Sequence, residues 1–309
     1  MREFVIPLAT GLAIFLFGMQ VLRLGLEGLA GKRMERWLYR FTQTPFVSFL
    51  SGLIVTIFLQ SSSAVTVMAI GFVNARMIRF SRCIGLILGT NVGTCITTEI
   101  LVFPIEKYAL LILFLGTVCW LLPWRHVRFS GLAVGGLGCV LLAMQTMESI
   151  TVSLNELQVF HMLSAYTSVA WGLIVGTILT AIIQSSSAAV ALMMGLYNAQ
   201  AITLAFGLAA VIGANVGTCI TAWVASIGGS RAGKQVAMAH LLINIAGLLA
   251  FYPFVMPISD WLASSSLSHY AQIAHFQTAF NLISALVLLP FCAVIARIVQ
   301  WSLPDVNTH

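Results

Sequence analysis

The sequence predicts an all-α polytopic membrane protein made of two inverted-topology repeats, each with a re-entrant helical hairpin and a broken transmembrane helix. Composition gives the class. Of 309 residues, 60% are hydrophobic and 8% charged, and the mean hydropathy of +1.00 lies far above that of an ordinary soluble domain. Internal duplication gives the repeats: Gln60-Ser61-Ser62-Ser63-Ala64 returns 124 positions later as Gln184-Ser185-Ser186-Ser187-Ala188. At the same offset Asn91-Val92-Gly93-Thr94-Cys95-Ile96-Thr97 returns as Asn215-Val216-Gly217-Thr218-Cys219-Ile220-Thr221. The placement of Lys and Arg gives the orientation, because basic residues mark cytoplasmic loops. The apolar stretches mix Leu, Gly, Ala and Ser without ten-residue alternation, so they read as helices and not as barrel strands.

Residues 1–44 are expected to form the first span and a cytoplasmic interfacial helix. Val5 to Leu22 reads as a retained span: no small-residue cleavage site follows it, and the basic run comes after it. That run, Arg23, Lys32, Arg33, Arg36 and Arg40, is interleaved with Met34, Trp37, Leu38 and Phe41 at helical spacing, the pattern of an amphipathic helix lying in the interface.

Residues 45–147 make the first repeat. Pro45 to Ala75 is interrupted at its centre by the serines and followed by Arg76, Arg79 and Arg82, so basic residues flank it on both sides. Each arm, about 12 to 15 residues or roughly 18 to 22 Å of helix, is too short to cross a core of about 30 Å. A hairpin that enters and leaves by the cytoplasmic face satisfies both facts. Cys83 to about Phe103 then crosses outward, Tyr108 to Leu122 returns to Arg125 and Arg128, and Phe129 to Met147 crosses outward again. Three crossings put the second hairpin on the opposite face.

An outer interfacial helix is expected over 148–167, and 168–299 makes the second repeat. Its hairpin, roughly Val169 to Ala199, is flanked by Glu148, Glu156, Tyr197 and Gln200 and by no Lys or Arg, which agrees with an external opening. Thr203 to Ile227 leads inward to Arg231 and Lys234, Val236 to Met256 outward and Phe276 to Val299 inward, leaving 300–309 as a cytoplasmic tail. Only Arg2 and Lys107 of the fifteen basic residues fall outside in this scheme. The six cysteines all lie in apolar segments without a CxxC pair, which argues against a disulfide framework and a zinc site.

Three hydroxyls and a carboxamide buried in a membrane are costly unless something satisfies them. Helix-to-helix hydrogen bonding is one answer. Duplication favours another: a turn followed by a helix exposes unpaired N–H groups that, with seryl hydroxyls, bind an oxyanion. Gly89-Thr90-Asn91-Val92-Gly93-Thr94 and Gly213-Ala214-Asn215-Val216-Gly217-Thr218 are expected to unwind and offer carbonyl, carboxamide and hydroxyl oxygens to an alkali cation. The spacing Gly-x-x-x-Gly is equally a close-packing motif. Neither cluster contains Lys or Arg, so an anion there needs co-bound cations to offset its charge.

Paired Gln-Ser-Ser-Ser motifs, each followed by Gly-x-Asn-Val-Gly-Thr, resemble the bacterial branch of the type II sodium/phosphate cotransporter family. The likeness runs from about Gly52 to Thr98 and from Gly176 to Thr221, with weaker echoes over Ala239-His240 to Asn244 and His275 to Asn281. It implies sodium-coupled symport of inorganic phosphate across the cytoplasmic (inner) membrane, by alternating access with an elevator-like motion. Substrate would lie at Gln60, Ser61, Ser62, Ser63, Gln184, Ser185, Ser186 and Ser187. Sodium would lie at Ser62, Ser63, Asn91, Thr94, Ser186, Ser187, Asn215 and Thr218. The implied partners are phosphate, sodium and the bilayer, with a homodimer left open and nucleic acid excluded. No cofactor is expected beyond sodium as the coupling ion.

Cys95 and Cys219 stand where the family more often has a hydroxyl, and a thiol is a poor sodium ligand. Both are expected to face the site. Transport or export of another oxyanion with sodium or proton coupling is the alternative. An intramembrane serine enzyme ranks last: no His or Asp lies close in sequence to either serine run, no Gly-x-Ser-x-Gly elbow occurs, and one nucleophile leaves the duplication unexplained. Glu99 reads either as an intramembrane acid or as an outer-interface residue. His240 and His275 read as core histidines satisfied by a neighbouring helix, with a proton relay as the other reading.

Overall fold

The computed structural model describes residues 2–30, 33–103, 106–148 and 168–304. Every regular element among them is helical. The expected outer helix over 148–167 falls outside the described residues, apart from Glu148.

Helix α1 runs Arg2–Ala30, well past the expected end at Leu22. Arg23 therefore lies inside the apolar span Ala9–Leu29 and not in the interface after it. The continuation is local in origin: Leu24, Leu26 and Leu29 keep the segment apolar, and neither Pro nor Asn stops it. The amphipathic stretch then forms α2, Arg33–Arg40.

Next come two short helices, α3 (Pro45–Leu59) and α4 (Ser62–Asn74). Thr44 caps α3 by accepting from the Val47 amide at 3.3 Å, with Pro45 at its first position. Gln60 ends it in the left-handed region at φ 50°, and Ser61 starts α4 by accepting from the Ala64 amide at 3.1 Å. The second copy repeats each device. Helix α5 spans Phe80–Ile100, α6 Ala109–Leu121 and α7 Arg125–Glu148. Then α8 (Val169–Ile183) and α9 (Ser186–Asn198) flank a Gln184 at φ 57° and a Ser185 that caps Ala188. The bounds of α8 and α9 are those of α3 and α4 displaced by the sequence offset of 124.

Helix α10 spans Leu204–Ser226 and α11 Arg231–Phe251. A 3-10 turn around Pro253 joins α11 to α12, Val255–Ala263. Finally α13 (His269–Leu288) joins α14 (Cys292–Ser302) through a similar turn around Pro290. Six segments among the described residues are long and apolar enough to cross a membrane: Ala9–Leu29, Phe80–Ile100, Arg125–Thr146, Leu204–Ser226, Arg231–Ala263 and His269–Ser302. The chain is a polytopic membrane protein.

The expected break in α5 and α10 does not occur; both are continuous through their Gly-x-Asn-Val-Gly-Thr segments. The glycines serve close packing instead. A Cβ on Gly85 would collide with the Pro45 carbonyl, one on Gly89 with that of Phe49, and one on Gly52 with that of Leu86, so α3 and α5 touch backbone to backbone. In the second pair Gly172, Gly176, Gly213 and Gly217 meet the carbonyls of Phe206, Ala210, Leu173 and Thr177. A helix lined this way gains dispersion and loses nothing by staying wound.

Two packing groups result. Helix α1 lies along α7, and α7 along α6, whereas α3 pairs with α5 and α8 with α10. Helices α11 and α13 brace α5 and α10.

Candidate functional site

Both serine turns open on one space. A small cavity of about 10 Å³ is lined by Gln60 to Ser63 of the first copy, Gln184 to Ser187 of the second, and Thr94 and Arg23. Ser61, Ser62, Ser186 and Ser187 are buried. Residues 124 positions apart thus form one polar chamber within strongly apolar helices.

Each half reaches into the other. The Thr221 hydroxyl donates to Ser63 Oγ at 3.2 Å, and the Ser187 hydroxyl lies 3.5 Å from the Thr94 carbonyl. Because Ser61 and Ser185 cap their helices, the first turns of α4 and α9 present N–H groups and the positive end of the helix dipole at the cavity. The chamber is therefore rich in donors.

The two copies differ in access. Gln60 is buried, its amide donating to the Ile57 carbonyl at 2.7 Å and its Oε1 accepting from the Thr97 hydroxyl. Gln184 is exposed and opens on a larger cavity of about 630 Å³, bordered by Leu16, Met19, Gln20 and Arg23 of α1 and by Val224 and Ala225 of α10. Gln60 is closed off, while Ser61 and Ser63 of its turn border the larger cavity beside Gln184 and Ser185.

Arg23 borders both cavities and is the one charged side chain among the described residues that line them. Its Nε is buried without a hydrogen-bond partner. The sequence reading left both clusters without a cation; the fold supplies one from α1.

Of the expected sodium ligands, Thr94 joins the serines, while Asn91 and Asn215 turn into a separate buried ring. Asn91 Nδ2 donates to Asn244 Oδ1 at 2.8 Å, and Asn244 Nδ2 donates to the Asn215 carbonyl at 2.9 Å. Asn215 donates to Asn281 Oδ1, Asn281 Nδ2 lies 3.4 Å from Cys95 Sγ, and Cys95 lies 3.5 Å from the Asn91 carbonyl, closing the ring. Cys219 sits 3.1 Å from Asn244 Nδ2. Thr218 donates back to the Ala214 carbonyl at 2.9 Å. Cys95 and Cys219 lie with the asparagines and not with the serines: both are buried against the amides of Asn281 and Asn244.

The sequence profile described as Na+/Pi-cotransporter matches residues 14–149 and 153–287, which takes in the second half of α1 with Arg23, both serine turns and the asparagine ring. The chain belongs to the Na+/Pi-cotransporter family. YqeW of Bacillus subtilis (strain 168), a protein named as uncharacterised, is 34% identical over 94% of this chain and 95% of its own length. YjbB of Escherichia coli (strain K12), whose name proposes inorganic phosphate export, is 28% identical over 97% of this chain, which spans 56% of YjbB. Human sodium-dependent phosphate transport protein 2B is 26% identical over 46% of the chain and 21% of its own length. No solved structure matches.

The remaining singled-out residues sort clearly within this Na+/Pi-cotransporter fold. Glu99 meets His275 at 2.9 Å and Thr278 at 2.5 Å, linking α5 to α13 in a half-exposed cluster. His240 is fully buried, and neither ring nitrogen has a hydrogen-bond partner, contrary to the reading that a neighbouring helix satisfies it. The described residues contain no group of three or more His, Cys, Asp or Glu able to hold a metal.

Proposed function

We propose that this protein moves inorganic phosphate across the cytoplasmic membrane together with sodium, by alternating access of the chamber between the serine turns. The convergence of Gln60 to Ser63 and Gln184 to Ser187 on one cavity carries the reading. Seryl hydroxyls and the first-turn amides of α4 and α9 suit a phosphate's oxygens. At neutral pH phosphate carries between one and two negative charges, and an unbalanced charge at membrane depth is expensive. Arg23 offsets one charge, and co-bound sodium at hydroxyl and carbonyl oxygens offsets the rest. Ser62, Ser63, Thr94, Ser186 and Ser187 are the ligands favoured for it; Asn91, Asn215 and Thr218 act by fixing α5 and α10.

The distribution of Lys and Arg supports opposite orientations for the two turns. In that orientation the larger cavity, reached past Arg23, Val224 and Ala225, opens to the cytoplasm, which makes this an inward-open arrangement. The names of the relatives include both export and sodium-dependent transport, and net direction follows the gradients. A serine nucleophile would need a base, and no carboxylate or imidazole lines either cavity among the described residues.

Labelled phosphate uptake into proteoliposomes, with and without an inward sodium gradient, tests the proposal. Uptake should depend on the gradient and collapse when sodium is replaced by potassium. Equal uptake in both conditions would remove sodium from the mechanism, and no uptake in either would remove phosphate.

A further inference from the structure

We infer that Arg23 is the fixed cation of the anion chamber and that it contacts phosphate from the opposite side of the seam between the two packing groups. The inference rests on the transport reading above and adds a residue that neither serine motif contains.

Four observations converge. Arg23 lies on the same face of α1 as Leu16, Met19 and Gln20, at helical intervals of three and four, and this face borders the larger cavity. The other face of α1 is committed to α7, where Gly18 and Gly25 meet the backbone at Gly136 and Ala133. The guanidinium is thus turned toward the serines by the packing of its helix. Its Nε is buried and unpartnered, an arrangement costly for a charged donor unless an acceptor enters. Glu27, one turn along α1, interacts electrostatically with it, but no described carboxylate lies within ion-pair distance of it. Arg23 and the first turns of α4 and α9 thus border the same small chamber. A planar fork of N–H groups fits two oxygens of a tetrahedral oxyanion, which a lysine's point charge does less well.

Position in the fold gives this contact a second meaning. Arg23 belongs to the α1–α6–α7 group, whereas the serine turns belong to the paired helices α3–α5 and α8–α10. The two groups meet mainly where α1 touches α3 and α9 and where α7 touches α9. An oxyanion held by Arg23 and both turns bridges the two groups at this seam.

The test is phosphate uptake by purified Arg23→Gln and Arg23→Lys in proteoliposomes, beside the unmodified protein, with phosphate-dependent melting measured on the same samples. Arg23→Gln should raise the apparent KM for phosphate by about tenfold or more, with the apparent affinity for sodium little changed, and should lose the rise in Tm that phosphate gives the unmodified protein. Arg23→Lys should recover a substantial part of both. Unchanged KM and melting in Arg23→Gln, with normal uptake by the unmodified protein, overturns the role of Arg23 and leaves the transport reading intact. Absence of phosphate uptake by the unmodified protein overturns both. Should Arg23→Gln fail to fold, Arg23→Lys decides alone: retained phosphate-dependent melting supports the charge, and its loss with a normal baseline Tm overturns it.

Discussion

Asn91 donates its side-chain amide to Oδ1 of Asn244 across 2.8 Å, joining the helix after the first serine turn to a helix that follows the second. Asn244 passes the connection on to Asn215, and the ring returns through Asn281 and Cys95. Buried amides linked in this way fix the registers of α5, α10, α11 and α13 against one another.

Breaking the ring should therefore cost stability before it costs ion binding. Asn244→Ala leaves the Asn91 amide unpartnered, and a destabilisation of about 1–3 kcal/mol is expected. A double-mutant cycle with Asn91→Ala should show coupling of about 1 kcal/mol. Strict additivity, measured by thermal melting in detergent, would mean that the two carboxamides act independently.

The glutamines should separate by stability and not by activity. Gln60→Ala and Gln184→Ala are each expected to lower phosphate uptake by at least about tenfold, or ~1.4 kcal/mol, because each turn forms half of the chamber. Gln60→Ala should also lower Tm, since Gln60 is bonded to Ile57 and Thr97, while the exposed Gln184 should tolerate the change. Uptake that survives either substitution would leave one turn without a role.

Thiol chemistry distinguishes chamber from ring. Cys95 and Cys219 are buried against asparagines and should react slowly with a small thiol reagent whether or not phosphate is present. A cysteine placed at Gln184 borders the open cavity and should react quickly, with phosphate slowing it. Rapid, phosphate-sensitive modification of the native thiols, followed by mass spectrometry, would put them back at the site.

Glycines in the interlocked pairs should differ sharply from glycines elsewhere. Gly89→Ala drives a methyl into the Phe49 carbonyl and is expected to destabilise by about 1–3 kcal/mol. Gly71→Ala, in α4 with nothing within 4 Å of the added carbon, should stabilise by roughly 0.5–1 kcal/mol. Equal melting temperatures for the two variants would remove the packing account of the stripe.

Opposite orientation of the turns makes a labelling prediction. A cysteine at Arg79 should be modified only from the cytoplasm by an impermeant reagent, and one at Gln200 only from outside, in a background lacking the native cysteines. Modification of both from one side would align the repeats in parallel.

Much of this was legible in the chain because its cues are local. Thr44-Pro45 and Ser168 begin helices, Gln60-Ser61 and Gln184-Ser185 end one helix and cap the next, and the offset of 124 carries over to the helix bounds. The charge of Arg23 reads as the end of the span; the signal that the helix continues is the unbroken, leucine-rich Leu24 to Leu29 after it. The glycines were ambiguous for a deeper reason. Unwinding and close packing use the same residues, and only the arrival of another backbone at Gly85 and Gly89 decides between them. The meeting of Asn244 with Asn91 and of Asn281 with Asn215 likewise depends on contacts between distant helices, for which the faint echoes at the end of the chain were the sole hint.

The interlocking of α3 with α5 has a mechanical consequence. With carbonyls seated directly on Gly85 and Gly89 and no side chain between them to deform, the two helices behave as one stiff beam with the Gln60 turn mounted at its end. A displacement of α5 therefore carries α3, and the turn at its end, along with it. The chemistry of the turn can thus vary at the tip while the beam that carries it stays as it is.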